Sequence, residues 1–133
     1  MYCRRQMQLS FGLLLTLVFS GCAADLVPMG KPDLSGPPGF CKLDKQKKLI
    51  VTIKNGGTGN AVASSTTVEF LPEGSFPLST PAIAAGGTSD LTPLDISAGC
   101  FNPECEFKIT VDANNQIKES SETNNSADGS CLG

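Results

Sequence analysis

Three short runs of this chain alternate in character, and that alternation narrows the fold more than any other feature. In KLIVTIKN (residues 48–55), Leu49, Val51 and Ile53 share a face, and in STTVEF (65–70) Thr66, Val68 and Phe70 do. In EFKITVD (106–112), Phe107, Ile109 and Val111 face one way, with Lys108 and Thr110 facing the other. A period of two is that of a half-buried β-strand. Beyond residue 22 no stretch keeps apolar residues at helical spacing through three turns, and Gly/Pro-rich segments (NGGTGN, LPEGSFP, AAGGTSD) separate the runs as loops. At 133 residues there is room for a single core. The expected fold is all-β, an antiparallel β-sandwich.

The first residues read as an export signal. Arg4 and Arg5 precede an apolar run, LSFGLLLTLVF (9–19), too short for a permanent span. It ends in Phe19-Ser20-Gly21-Cys22, which resembles a bacterial lipobox with Phe where an aliphatic residue is commoner. Residues 1–21 are therefore expected to be a lipoprotein signal peptide, and Cys22 the lipid attachment site. The arginine pair lacks the rest of a twin-arginine pattern, so export by the general route is expected. Ala23, rather than an aspartate, after the cysteine fits outer-membrane sorting. Residues 22–38, rich in Pro and Gly, are expected to be a tether and 39–133 the folded domain.

Six cysteines divide cleanly on this reading. Cys3 leaves with the signal and Cys22 takes lipid, so Cys41, Cys100, Cys105 and Cys131 remain, as expected of two disulfides in an oxidising compartment. Their spacing does not pair off twice over as a zinc site requires. Three connectivities are open. Cys100 and Cys105 flank an Asn-Pro turn and are the natural short bridge, which leaves Cys41 for Cys131.

Composition excludes several functions. The chain beyond residue 21 keeps eight lysines against 13 acids and has no arginine, a poor electrostatic match for nucleic acid. The lysines at 42, 45, 47 and 48, interleaved with Asp44, read as a solvated turn. Histidine is absent, which removes the commonest general base and any Ser-His or Cys-His pair. The carboxylate pairs Glu104 with Glu106 and Glu119 with Glu122 lack an evident cleft. No enzymatic activity and no cofactor are expected.

The exception to the no-cofactor expectation is calcium, for which DANNQIKESSETNN (112–125) supplies hard oxygen donors. The stretch opens like an EF-hand loop at Asp112 and Asn114. The match then fails, since the sixth position is Ile117 rather than glycine and the twelfth is Thr123 rather than glutamate. A site of another kind would use Asp112, Glu119 and Glu122. The competing structural reading has Asp and Asn side chains bonding to nearby backbone in successive turns, with Ile117 in the core, the acids in water and SADGSC as the final strand.

Taken together, PDL (32–34), VTIKNGGTGNA (51–61), STTVEF (65–70), TPAIAAGGTSDL (80–91) and CEFKITVDANNQIKESSETNN (105–125) resemble a CARDB domain, the cell-adhesion-related domain found in bacteria. The most specific element is the ordered set Asp112, Ile117, Glu119, Glu122, Asn124 and Asn125; Asn55 and Gly57 match a looser Asn-x-Gly turn. The resemblance implies an immunoglobulin-like or fibronectin-type-III-like sandwich of the kind repeated in tandem in large surface proteins. Here there is one copy, and it carries four cysteines that most such domains lack. The function expected is that of a non-enzymatic, lipid-anchored module of the bacterial cell envelope that binds another protein or a polysaccharide. The alternatives are a structural envelope component without its own ligand, or a calcium-dependent surface-binding module.

Overall fold

The computed structural model describes residues 22–132, together with one short antiparallel pair, Gln6–Met7 with Phe19–Ser20. Apart from that pair, the expected leader lies outside the described residues. No helix among the described residues is long and apolar enough to cross a membrane.

Seven strands build the sandwich: β1 (Leu26–Met29), β2 (Thr52–Asn55), β3 (Ser64–Leu71), β4 (Gly74–Thr80), β5 (Thr88–Asp90), β6 (Glu104–Thr110) and β7 (Ser126–Leu132). One sheet has the order β1-β2-β5, the other β4-β3-β6-β7, and every pairing is antiparallel. The fold is thus all-β, two antiparallel sheets packed face to face.

The alternating runs explain the core. Ile53 of β2, with Leu49 and Val51 just before that strand, packs in one core with Val68 and Phe70 of β3, Phe107 and Ile109 of β6 and Val111 just after it, none more than 3% exposed. Burying each such side chain contributes about 1.5–3 kcal/mol. Phe70 sits edge-on to both Phe76 (centroids 5.7 Å apart) and Phe107 (5.9 Å). The inward Thr66 and Thr80 hydroxyls are 2.7 Å apart and satisfy each other, so β3 and β4 bury polar atoms at little cost. Opposite Phe107 in the β6–β7 register stands Gly129, where a Cβ would lie 2.2 Å from the ring.

Two disulfides close the structure at one end. Cys41–Cys131 spans 90 residues with Cα atoms 5.3 Å apart, and Cys100–Cys105 closes a short turn at 4.9 Å. The long bridge removes chain entropy from the unfolded state worth about 4–5 kcal/mol, the short one about 2 kcal/mol.

Three segments differ from the reading of the sequence. Residues 22–38 are not a free tether: Ala24 is 4% exposed, Leu26 is fully buried and 26–29 form a strand. Its four residues are too few to display a period, and Pro28 argues against a strand. Because β1 is an edge strand, its Pro28 takes no central ladder position. The chain then crosses to the other sheet, where a 3₁₀ turn (Pro37–Phe40) packs against β7, an edge otherwise open to foreign strands. Within the expected loop LPEGSFP, Gly74 starts β4, again an edge strand that tolerates its Pro77. The segment AAGGTSD contributes β5, only three residues long.

Candidate functional site

The loop between β6 and β7 begins by closing on itself. Val111 donates its N–H to Asn125 O at 2.8 Å. Asp112 takes a left-handed conformation (φ 46°), as does Asn115 (φ 51°), which Asp and Asn adopt more readily than other side chains. The Asp112 carboxylate then accepts the N–H groups of Gln116 (2.9 Å) and Ile117 (3.0 Å). Ala113 N–H reaches across to Ser65 O at 2.8 Å, fixing the turn to β3. Ile117 drops into the core at 8% exposed.

After Ile117 the loop grips the other sheet. Glu119 forms a parallel bridge with Ala24, and Ser120 N–H donates to Ala24 O at 2.9 Å. One Glu119 oxygen accepts the backbone N–H of Leu26 at 2.6 Å, and the other accepts the Asn125 amide at 2.7 Å. Glu122 accepts the Glu119 N–H at 2.8 Å, and Asn124 donates to the Asp25 carboxylate at 2.9 Å. This carboxylate-rich loop is a clasp. It binds the start of the first strand to the last hairpin.

A second loop completes the clasp. Asn55 is fully buried, and its side chain makes four hydrogen bonds: Oδ1 accepts from Asp25 N–H (3.0 Å) and Gly57 N–H (3.1 Å), while Nδ2 donates to Gly59 O (2.9 Å) and Ile83 O (3.0 Å). The loop then runs so close to residues 22–25 that a Cβ at Gly57 would lie 2.3 Å from Ala23 O. The Asn-x-Gly pattern is therefore a requirement of close approach to the backbone of Ala23–Asp25.

Of the acids expected to stay in water, Asp112 (4% exposed) and Glu119 (7%) are buried and only Glu122 is exposed. Backbone N–H groups and the Asn125 side-chain amide take the place of water around the two buried ones. Burial raises the Glu119 pKa above its ordinary 4.5, the Leu26 N–H and Asn125 amide lower it, and the Glu122 and Asp112 charges raise it further. Each of the three carboxylates offers an oxygen, and these oxygens all lie within 4.8 Å of one another. The buried Oδ1 atoms of Asn124 and Asn125, in the same loop, lack a partner.

The sequence singled out Asp112, Glu119 and Glu122, and the structure brings them together. It missed Asp25, whose backbone and side chain are both held by the clasp and which no motif marks. Glu104 and Glu106 stand on the outer face of β6, exposed. Cys22 is disulfide-bonded.

No curated protein matches the chain. Among solved structures it is similar to a domain of a candidate cell surface protein from Methanosarcina acetivorans, determined in solution by NMR. The TM-score is 0.63 at 14% identity, covering 83% of this chain and 91% of that one. It is also similar to a CARDB domain from Pyrococcus furiosus, a crystal structure in complex with di-metal ions, with TM-score 0.51, 22% identity and coverage of 92% and 97%. The CARDB family model matches residues 24–128, from the clasped first strand into β7, and on that match the chain belongs to the CARDB family.

Proposed function

We propose that this chain is a non-enzymatic module of the bacterial cell envelope, lipid-anchored through Cys22 in the outer membrane, that binds another protein or a polysaccharide. The observation that carries this reading is the placement of the two ends. Residues 22–26 are clasped to Glu119 and Asn55 at one end, while the Cys41–Cys131 and Cys100–Cys105 bridges close the other. A sandwich held at Cys22 therefore turns the disulfide end outward. CARDB is not a known catalytic family, and one structural neighbour is a candidate cell surface protein. Acylation of the Cys22 sulfur and its disulfide are mutually exclusive, so labelling decides between them. Cells fed radiolabelled palmitate should incorporate label into the wild-type chain and none into Cys22→Ser. Protease added to whole cells should digest a surface-displayed binder; a chain spared by it is a periplasmic structural component instead.

The clustering of Asp112, Glu119 and Glu122 favours a second reading, a calcium-dependent surface module. Hard carboxylate oxygens suit calcium, and each keeps acceptor capacity beyond a single N–H bond. The neighbour crystallised with di-metal ions supports testing it. Calcium at 100 times its dissociation constant would add about 2.7 kcal/mol. A melting midpoint that is higher in millimolar calcium than in EDTA, with the rise lost in Glu122→Ala, supports this reading; coincident midpoints reject it.

A further inference from the structure

The disulfide end carries two surfaces of opposite charge. One is the outer face of the β3-β6-β7 sheet, where Glu69, Glu104, Glu106 and Asp128 stand exposed around a single base, Lys108. The exposed side chains of Leu71 and Leu132 flank Glu106 and Glu104 in register. Beside them runs a groove of about 520 Å³ walled by Leu71, Pro37, Glu104 and Glu106.

The other surface is the hairpin at 42–48, with four lysines to one aspartate. It is built to hold its shape. Asp44 N–H donates to Lys48 O at 2.9 Å, and the Asp44 carboxylate accepts the N–H groups of Gln46 (2.8 Å) and Lys48 (2.9 Å). Lys47 takes the left-handed conformation at φ 64°. Lys42 lies on Thr52 and Lys48 pairs with Asp95 at 3.4 Å, the one ion pair among the described residues. Lys45 and Lys47 are left exposed at the tip, beside an exposed Leu43.

Lys42, at the base of the hairpin, contacts Thr52 of the three-stranded sheet, whereas the acidic face belongs to the four-stranded one, so the two surfaces arise from different sheets. We infer that the acidic face of one copy receives the lysine tip of a second copy. Lys45 and Lys47 meet Glu104 and Glu106, and Leu43 covers Leu71. The contact is heterologous, since each copy offers a tip and a separate face, and so it propagates as a row rather than closing as a pair. A shared orientation within that row rests on the lipid-anchor reading; the contact itself does not. Exposed ion pairs are individually weak, so the row depends on several acting together and on a high local concentration.

The test uses the full chain in the membranes of cells that produce it, treated with a carbodiimide, which joins lysine amines to carboxylates without a spacer. Mixed light and heavy isotope labelling separates links between copies from links within one. The expected result is dimers and higher multiples linked from Lys45 or Lys47 to Glu104 or Glu106. Yield should fall about tenfold in Lys45→Glu/Lys47→Glu and in Glu104→Lys/Glu106→Lys, and in high salt as the charges are screened. Co-producing the two variants should restore linkage between them, which misfolded chains would not do. A chain linked only within itself, or acidic-face residues linked to a different cationic protein, overturns the inference. So does failure of the variant mixture to restore the product.

Discussion

Glu119 accepts the backbone N–H of Leu26 at 2.6 Å across 93 residues of sequence, joining the first strand to the last hairpin. Both residues are buried, so neither group has water to fall back on. Replacing Glu119 with Ala leaves a buried N–H unpaired, a loss of about 1–3 kcal/mol. A thermal melt should show it, and Glu122→Ala, which touches an exposed carboxylate, should cost less.

The same carboxylate sets a pH dependence. Because burial raises the Glu119 pKa above 4.5, the folded state holds its proton more tightly than the unfolded chain. This group's contribution is therefore largest below 4.5 and is lost as pH rises through the folded value. Denaturant titrations across that window should show wild-type stability declining relative to Glu119→Gln, which has no proton to lose.

Gly129 faces the Phe107 ring with no room for a methyl group. Gly129→Ala must displace that ring from its contact with Phe70, an overpacking cost of about 1–3 kcal/mol. Urea unfolding should show a lower midpoint with an unchanged slope.

The two disulfides should differ in weight. Converting Cys41 and Cys131 together to Ser should lower stability by about 4–5 kcal/mol, and the Cys100 and Cys105 pair by about 2 kcal/mol. Denaturant melts of the two double variants compare them directly.

Much of the sandwich was legible because alternation in 48–55, 65–70 and 106–112 reports the buried faces directly. Edge strands were not. β1 and β4 contain Pro28 and Pro77, and a short edge strand has neither the length nor the two-sided pairing that leaves a pattern. At the clasp, Asp112, Glu119 and Glu122 were readable as a group, but their burial was not. Polar side chains are ordinarily assigned to water, and here the compensating donors are backbone groups of Leu26, Gln116 and Ile117, which residue identity does not announce. Asp25 was invisible for the same reason. Its partners, Asn55 at the end of β2 and Asn124 in the β6–β7 loop, are distant from it in sequence.

The acidic stretch 112–125 holds the first strand in place. Amide hydrogen exchange tests this most directly, read at Leu26 and Ser120, whose N–H groups go to Glu119 and to Ala24. Both amides should be protected nearly as well as those of β3 and β6, and Glu119→Ala should expose them while the sheet core stays closed. Fast exchange at Leu26 in the wild-type chain would contradict this, because the first strand would then be held by something other than the clasp.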